Sequence, residues 1–325
     1  MHAIVQDAYG PADGWHAAEI AVPVIADEEV LVKVSAAGLD RGTWHLMTGL
    51  PYLGRLAFGV RKPKDRVPGR DLAGMVVAVG SSVRRFAVGD SVFGVGRGSF
   101  AEYATAREDK LARKPANVTF EQAAVVPISG LTAIQAVRDA GRLQAGQRVL
   151  IVGASGGVGS YAVQLAKAFG ANVTGVCSTP KIDFVRSLGA DRVIDYTKDD
   201  FSGGSQHYDL IVDIGGNATL SRLRRALTDK GTLVIVGGEG GGKLTGMGRQ
   251  LRALMLSPFV SQRLTLLVSK ENSADLERLT ELIETGAVTP AIDRTYPLDE
   301  AVDAMRHLVA GQAQGKIAIA IAIAG

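Results

Sequence analysis

The chain has 325 residues, of which 46% are hydrophobic and 21% charged, and its net charge is +3. This length is typical of two globular domains, and the composition is that of an ordinary globular protein. The small net charge argues against nucleic acid as a partner, because nucleic-acid binding requires a strongly basic surface. The stretch Arg61–Arg66 is the nearest to a basic patch, and we interpret it as a solvated loop.

Cysteine content and apolar runs indicate the compartment in which the protein works. Cys177 is the single cysteine, so no intramolecular disulfide can form. The chain opens without a charged-then-apolar leader, and no apolar run is long enough to span a bilayer. We therefore expect a cytoplasmic protein without a membrane partner. The alternating isoleucines and alanines of Ile317–Gly325 predict a strand.

The first hundred residues predict short strands separated by turns. Valines alternate through Glu29–Ser35, and Gly74–Val79 is a nearly continuous apolar strand. Between them, Leu39–Gly69 is a loop-rich insertion that carries His45, Tyr52 and three prolines. This pattern predicts a barrel-like all-β domain with one long functional loop.

The pattern changes at Thr119, where Thr119-Phe-Glu-Gln122 has the spacing of a capping box. A helix is predicted from there to about Leu143, with an interruption near Pro127–Gly130. Strands and helices then alternate, which predicts a doubly wound parallel sheet. Its predicted strands are Val149–Val152, Asn172–Cys177, Arg192–Asp195, Leu210–Asp213 and Thr232–Val236. Later elements, from the strand Leu264–Val268 onward, are expected to return to the first domain.

A glycine turn after the first of these strands points to function. Glycines in Gly153–Gly159 allow a tight turn, and the helix that follows directs its free N–H groups at an anion. Because a second strand completes a βαβ unit, we predict a dinucleotide site rather than an ordinary tight turn. The predicted cradle residues are Gly153, Ser155, Gly156, Gly157 and Val158.

The end of the second strand indicates which dinucleotide binds. An NAD site places a carboxylate there to accept hydrogen bonds from the ribose hydroxyls. This chain instead has Cys177-Ser-Thr-Pro-Lys181 and no acid before Asp183. Ser178 and Thr179 can donate to a phosphate and Lys181 supplies charge, so NADPH is the predicted cofactor. The alternative is that Ser-Thr-Pro caps a helix and Lys181 is a solvated charge.

Several motifs together resemble the medium-chain dehydrogenase/reductase superfamily, in its zinc-free quinone oxidoreductase-like branch, over nearly the whole chain. They are Ala36–Asp40, Pro68–Gly74, Val88–Asp90, Gly130–Ala133, Gly153–Gly159, Val193–Tyr196 and Gly315–Lys316. The resemblance implies an α/β protein in which a GroES-like β-barrel catalytic domain (1–122 and 262–325) is discontinuous around a Rossmann domain (123–261). It also implies a homodimer.

Zinc is the first question that the resemblance raises. Zinc alcohol dehydrogenases carry a cysteine and a His-Glu pair where this chain has Asp40 and Arg70-Asp71. The four clustered cysteines of a structural zinc loop are also missing. Asp40, His45 and Asp71 offer a conceivable metal site, but the arginine beside them would oppose a dication. We therefore expect no bound metal.

The resemblance implies further cofactor contacts. Thr132 would lie under the nicotinamide ring, Asp40 near its carboxamide, and Tyr196 against the 2′-phosphate. The ribose side would be lined by Ile214, Gly215, Val236, Gly237 and Gly238, and Lys316 can also reach the cofactor. The alternatives are a buried helix hydroxyl at Thr132, strand-end turns at the glycines and a surface charge at Lys316.

The substrate residues are the least defined. Asp40, Thr43, His45 and Tyr52 share the loop that faces the nicotinamide in similar enzymes. Hydride transfer needs orientation and a donor to the developing oxyanion. We predict an NADPH-dependent reductase of a small-molecule carbonyl substrate, either a quinone or an α,β-unsaturated carbonyl. An NAD(P)-dependent alcohol dehydrogenase and a non-catalytic NADPH-binding or sensor protein remain alternatives.

Overall fold

The computed structural model describes residues 1–204, 206–237 and 248–321. The chain divides into two compact units. The first unit comprises Met1–Leu131, Glu271–Gly286 and Pro290–Gly325, and the second comprises Thr132–Lys270 and Ala287–Thr289. The sequence predicts domain boundaries at 122/123 and 261/262. The structure places the corresponding boundaries nine residues later, at 131/132 and 270/271. None of the described helices is long and apolar enough to cross a bilayer.

Strands and helices are numbered in chain order. The strands are β1 (His2–Gln6), β2 (Trp15–Glu19), β3 (Glu29–Leu39), β4 (Asp71–Val79), β5 (Ser91–Val95), β6 (Tyr103–Arg107), β7 (Leu111–Arg113), β8 (Arg148–Val152), β9 (Asn172–Cys177), β10 (Arg192–Asp195), β11 (Tyr208–Asp213), β12 (Leu227–Ile235), β13 (Arg263–Leu266), β14 (Ile292–Pro297) and β15 (Lys316–Ala320). The α-helices are α1 (Arg41–Thr48), α2 (Arg55–Phe58), α3 (Phe120–Ala124), α4 (Pro127–Ile134), α5 (Gly157–Ala168), α6 (Ile182–Ser187), α7 (Leu220–Ala226), α8 (Gly248–Leu256), α9 (Ser273–Glu284) and α10 (Ala301–Val309).

The second unit is built on a parallel sheet in the order β10-β9-β8-β11-β12-β13. Its strands are apolar over most of their length, as expected for a parallel sheet with both faces covered. The doubly wound sheet predicted from the sequence is confirmed. One strand is placed differently: Arg263–Leu266 is the sixth strand of this sheet, whereas we expected it in the first domain. Leu264 is buried in the core of this sheet with Leu233 and Ile235, which explains its position.

The first unit contains a mostly antiparallel sheet in the order β14-β15-β3-β4-β5-β7, and β6 also pairs with β3. The long strand β3 alternates buried and half-buried residues through its first half, because one face packs on the barrel core. A β1–β2 hairpin lies beside it as a separate two-stranded sheet. The predicted barrel-like β domain is thus confirmed.

The Leu39–Gly69 insertion is more helical than predicted. Asp40 caps α1, because its side chain accepts a hydrogen bond from the N–H of Thr43 at 2.7 Å. Gly49 ends the same helix in the left-handed conformation, with φ of 62°. A loop at this point was therefore the wrong prediction, although both end signals are present in the sequence.

The helical region predicted after Thr119 is confirmed except for the position of its interruption. The capping box is confirmed: the Thr119 hydroxyl accepts from Gln122 N–H at 3.2 Å, and the Gln122 side chain accepts from Thr119 N–H at 3.0 Å. The interruption was placed wrongly: it lies at residues 125–126, and Pro127–Gly130 belong to α4, because proline fits the first helical turn. A π-helical stretch, Gln135–Ala140, continues from α4.

Candidate functional site

The glycine turn after β8 brings three backbone segments into close contact. A Cβ at Gly159 would lie 2.1 Å from the carbonyl oxygen of Gly153, and one at Gly153 would lie 2.9 Å from the nitrogen of Gly215. Gly153 also has φ of 87°, a conformation that favours glycine. These glycines are therefore required so that α5 can begin directly against the end of β8.

The start of α5 is left open by this packing. Gly156 is its N-cap residue and has no side chain with which to cap the helix. A Cβ at Gly156 would meet only the Gly153 carbonyl oxygen, at 3.6 Å, so the space in front of the helix is free. Uncapped N–H groups at a helix start favour an anion. Ser155 is buried beside Gly156, while Gly157 and Val158 are half-buried in the first turn.

Two of the residues predicted to bind the 2′-phosphate, Ser178 and Tyr196, lie side by side at the ends of β9 and β10. Asp195 pairs with Cys177 in the β10–β9 register, and Tyr196 N–H donates to the Cys177 carbonyl at 3.1 Å. Tyr196 thus lies beside Ser178, and its side chain is exposed. Ser178 begins a short 3₁₀ turn, Thr179–Lys181, without making a capping hydrogen bond from its side chain.

Asp195 adds a carboxylate to this edge that the sequence did not reveal. The Thr179 hydroxyl donates to one of its oxygens at 2.5 Å, and the N–H and hydroxyl of Thr197 donate to the other. The hydrogen bond from Thr179 and those from Thr197 lower the pKa of Asp195. The Thr179 hydroxyl is therefore engaged with Asp195, and the acid comes from the neighbouring strand rather than from β9.

The predicted ribose-side residues lie at the ends of β11 and β12. The N–H groups of Ile214 and Gly215 both donate to the Val152 carbonyl at 3.0 Å, which holds their turn against β8. A Cβ at Gly237 would lie 2.0 Å from the Ile214 carbonyl oxygen, so this glycine allows the two turns to meet. Val236 immediately precedes that contact. Gly238 lies outside the described residues.

A buried ion pair joins α8 to the ends of β11 and β12. The Arg249 guanidinium donates to Asp213 at 2.5 Å, to the Ala218 carbonyl at 3.0 Å and to the Gly237 carbonyl at 2.9 Å. Burial raises the pKa of Asp213, and the charge of Arg249 opposes this. The sequence gives no signal for this pair, because its partners are separated by a glycine-rich stretch without readable periodicity.

In the first unit, Asp71 and Lys316 form a buried ion pair. Lys316 Nζ lies 3.4 Å from Asp71 Oδ2 and donates to the Ser129 hydroxyl at 3.1 Å. The other oxygen, Asp71 Oδ1, accepts from the N–H of Ile128 at 2.9 Å and so caps the start of α4. Burial raises the pKa of Asp71 to about 7, with Lys316 acting against it and Asp40 adding to it.

The Asp71–Lys316 ion pair affects two residues that the resemblance assigned to the cofactor, Lys316 and Thr132. Lys316 was expected either at the cofactor or on the surface, and its side chain is 1% exposed. A surface charge is thereby excluded. Thr132 lies in α4, one turn beyond Ile128, and is half-buried. The Asp71 carboxylate therefore helps to fix the helix that carries Thr132.

Asp40 has one satisfied and one unsatisfied carboxylate oxygen. Its Oδ1 accepts from the N–H of Thr43 at 2.7 Å and from the Thr43 hydroxyl at 3.1 Å. Its Oδ2 is buried and has no hydrogen-bond partner among the residues that the structure describes. A buried acceptor without a donor is costly, so this oxygen fits a donor supplied by a ligand.

The other substrate candidates differ in what they offer. Thr43 is buried, and its hydroxyl is engaged with Asp40. His45 is exposed, and its Nδ1 lies 2.7 Å from the Leu50 carbonyl oxygen, which can only accept. That bond assigns a proton to Nδ1 and leaves Nε2 for other partners. Tyr52 is exposed beneath the Arg55 guanidinium, 4.8 Å from its ring centroid.

The residues at the zinc-ligand positions do not fit a zinc ion. Asp40 caps a helix, and Arg70 forms an ion pair with Glu271 at 2.7 Å. In the described part of the chain, no three His, Cys, Asp or Glu side chains cluster as metal ligands would. A catalytic zinc site requires three such ligands, thiolate and imidazole being typical.

A separate cavity of about 400 Å³ opens in the first unit. Its walls combine apolar side chains, including Leu46, Met47 and Phe58, with the cations Arg70 and Lys64. None of Asp40, Thr43, His45 and Tyr52 lines it. Thr43 and His45 nevertheless lie in α1, which also contributes Leu46 and Met47 to the cavity wall.

Comparison with known proteins agrees with this geometry. Residues 26–116 match the family model of the alcohol dehydrogenase GroES-like domain, and residues 188–319 match that of the zinc-binding dehydrogenases. A chloroplast envelope quinone oxidoreductase homolog of Arabidopsis thaliana is 34% identical over 98% of both chains. An NADPH-dependent alkenal/one oxidoreductase of the same plant is 34% identical over 98% of this chain and 79% of its own. The quinone oxidoreductase of Coxiella burnetii superposes with a TM-score of 0.88 at 28% identity, covering 99% of each chain.

The chain belongs to the medium-chain dehydrogenase/reductase superfamily, in its quinone oxidoreductase-like branch. It is an NAD(P)H-dependent oxidoreductase with a GroES-like domain and a Rossmann domain. The open helix start at Gly156 and the glycine contacts around Gly153 fit a nicotinamide dinucleotide.

Proposed function

We propose that this oxidoreductase uses NADPH to reduce a quinone or an α,β-unsaturated carbonyl compound, without zinc. The observation that carries the proposal is the open start of α5 at Gly156, together with the meeting of Ser178 and Tyr196 at the adjacent sheet edge. The first feature suits a pyrophosphate, and the second suits a further phosphate on the adenosine ribose.

The preference for NADPH rests on the charges at that edge. Ser178 begins the 3₁₀ turn that ends at Lys181, so a hydroxyl and an ammonium stem from one short segment. The nearby carboxylate of Asp195 is occupied by three donors from Thr179 and Thr197. A carboxylate that already accepts these bonds is less suited to ribose hydroxyls. The alkenal/one relative, whose name states NADPH dependence, supports the same choice.

The cofactor supplies the hydride, and this chain supplies its orientation. We assign the unsatisfied Oδ2 of Asp40 to the amide N–H of the nicotinamide carboxamide, since a buried acceptor there requires a donor. Thr132 is assigned to the ring, on the helix that Asp71 caps. Lys316 is assigned a supporting role through its contacts with Asp71 and Ser129.

Reduction of the acceptor also needs a proton and a donor to the developing oxyanion. His45 in α1 and Tyr52 just after it are exposed donors, and the Nδ1 bond of His45 holds its ring while Nε2 stays available. The proton for the reduced acceptor would come from water or from one of these groups. The absence of fitting zinc ligands around Asp40 and Arg70 supports a reaction without a Lewis-acid metal.

The test is NADPH oxidation by the purified protein with phenanthrenequinone and with simple enones, followed by absorbance, beside a metal analysis of the same sample. We expect turnover with at least one acceptor in protein that carries no stoichiometric zinc. Tight NADPH binding without turnover of any acceptor would favour a binding or sensor protein. Stoichiometric zinc with alcohol oxidation would favour an alcohol dehydrogenase.

A further inference from the structure

An exposed apolar segment follows α1 in the first unit. Within residues 52–60, five large apolar side chains face solvent, and Leu56 (75% exposed), Val60 (66%) and Leu53 (53%) are the most open. Tyr52 and Phe58 complete the group. Exposed apolar side chains that occur singly are ordinary, but five in nine residues form a patch that requires an explanation.

The exposure is built into the local fold. Tyr9 donates from its hydroxyl to the Gly59 carbonyl at 2.6 Å, and the Arg55 guanidinium lies 4.4 Å from the Tyr9 ring centroid. Arg55 also donates from Nε to the Gly49 carbonyl at 3.0 Å. These contacts fasten the inner side of the segment to the unit. The apolar side chains of α2 and its flanking turns are therefore presented outward by a held backbone.

Basic residues follow the apolar ones directly. Arg61, Lys62 and Lys64 are exposed, and none of them forms an ion pair within the part of the chain that the structure describes. The N–H of Lys64 donates to the Phe58 carbonyl at 2.8 Å, which closes the turn and brings the charges beside the apolar group. Residues 41–66 contain six lysines and arginines but one acid, Asp65, whereas the whole chain has 36 basic and 33 acidic residues. The positive charge of the chain is thus concentrated here.

We propose that the 52–64 segment is a docking surface for an anionic lipid bilayer. Exposed leucine, valine, phenylalanine and tyrosine side chains beside unpaired lysines and arginines match a bilayer surface, in which apolar chains lie below negative headgroups. A solvated loop explains the charges but leaves the five apolar side chains without a partner. None of the helices in the described residues could span a bilayer, and this finding does not bear on binding to a bilayer surface.

A second copy of the chain is a poorer occupant. A two-fold symmetric contact would place the patch against itself and so bring Arg61, Lys62 and Lys64 opposite their own copies. Like charges in such a contact repel each other. An anionic surface removes that repulsion and uses both halves of the segment.

Docking at this surface has a structural consequence for the cavity of the first unit. Ala57, Phe58 and Lys64 belong to the segment and also line the 400 Å³ cavity. A bilayer held against the outer side of the segment would therefore lie next to a partly apolar cavity. An acceptor dissolved in the membrane would then be concentrated next to this cavity.

The test is cosedimentation of the full chain with vesicles of phosphatidylcholine alone and of phosphatidylcholine with phosphatidylglycerol, without cofactor or acceptor. We expect binding to the anionic vesicles at low salt and little binding to the neutral ones. R61Q/K62Q/K64Q should weaken that binding about fivefold per charge removed. L53S/L56S/V60S should weaken it at least tenfold, and L56W should shift its tryptophan emission to the blue when vesicles are added.

Matched controls use exposed residues elsewhere. V24S/V88S removes two exposed apolar side chains of the same unit, and R186Q/R225Q/K230Q removes three exposed charges of the second unit. Both should bind like the wild type. Failure of the wild type to bind anionic vesicles overturns the proposal, as does unchanged binding of the apolar triple variant. A change of oligomeric mass in that variant, without vesicle binding by the wild type, would assign the surface to self-association. Because no cofactor is present, none of these results depends on the reductase activity.

Discussion

The ammonium group of Lys316 lies 3.4 Å from Asp71 Oδ2, and both side chains are almost completely buried. The pair connects the last described strand of the first unit to β4, and through Ile128 N–H it also connects to the start of α4. A buried ion pair contributes little net stability compared with apolar residues of the same shape. Removal of one partner is costly, however, because the other charge then remains buried alone.

Lys316→Met should therefore destabilise the protein at pH 8 by about 3–5 kcal/mol, the usual cost of an uncompensated buried charge. Asp71→Asn in the same chain should recover part of this loss, because it removes the abandoned carboxylate. Denaturant unfolding of the two single variants and the double variant gives the coupling energy. Strictly additive effects would show that the two groups do not interact.

The pH dependence of stability tests the raised pKa of Asp71. Its folded-state pKa, about 7, lies above the usual value of 3.8, so the folded protein holds a proton that the unfolded chain has released. Stability from this group is thus greatest below about pH 4 and is lost as the pH rises to about 7. Its contribution should fall by at most about 1.4 kcal/mol per pH unit in that window.

Unfolding of the wild type and of Asp71→Asn at several pH values between 4 and 8 makes the comparison. The asparagine does not titrate, so the variant supplies the contribution of all other groups. If the free energies of unfolding of the two proteins differed by the same amount at every pH, the pKa of Asp71 would not be raised.

Local patterns explain which parts of the fold were predictable. The strands of the parallel sheet and the glycine turn at Gly153 depend on neighbouring residues, and their apolar periodicity and glycines stand in the sequence. Helix α1 was missed although Asp40 and Gly49 mark its two ends. Its eight residues include glycine and two threonines, which are weak helix formers, so the sequence pattern does not predict a helix here.

Contacts between distant residues could not be predicted. Lys316 and Asp71 are 245 positions apart, and no spacing rule joins them. The position of Asp195 is not predictable from β9 alone, because the neighbouring strand supplies this acid through the register of Asp195 with Cys177. The exposed face of the 52–60 segment depends on contacts of Tyr9 and Arg55, which composition alone does not reveal.

Two glycines of the turn should respond differently to alanine. Gly159→Ala places a Cβ 2.1 Å from the Gly153 carbonyl oxygen, so α5 must move, and both stability and cofactor binding should fall. Gly156→Ala has room and a permitted backbone conformation, with φ of −85°. It should fold normally but bind the cofactor at least about tenfold more weakly, because the methyl group enters the space for the pyrophosphate.

Thermal unfolding and fluorescence titration with NADPH measure the two effects separately. Gly248→Ala, where a Cβ would meet nothing within 4 Å, is the matched control in the same unit. Equal cofactor affinity of Gly156→Ala and the wild type would contradict the assignment of this helix start to the pyrophosphate.

Lys181→Ala should lower the affinity for NADPH about tenfold or more and leave that for NADH nearly unchanged. The reason is the loss of a charge-assisted hydrogen bond to the 2′-phosphate, which is typically stronger than a neutral one. Titration of the variant with both cofactors measures this selectivity, and Lys230→Ala, at an exposed lysine of β12, is the control. If both affinities fell equally, the phosphate would bind elsewhere.

The homodimer predicted from the family resemblance should use the free edge of β13. Among the described strands β13 pairs with β12 alone, and an unprotected edge strand readily pairs with another chain. Leu267 N–H donates to the Ile235 carbonyl, so the alternation of the strand directs the N–H of Leu266 away from β12. Leu266→Pro removes that outward donor without breaking the β12 ladder. Light scattering should give the mass of two chains for the wild type and of one for the variant. A dimer that survives this substitution, with the fold intact by circular dichroism, would place the interface on another surface.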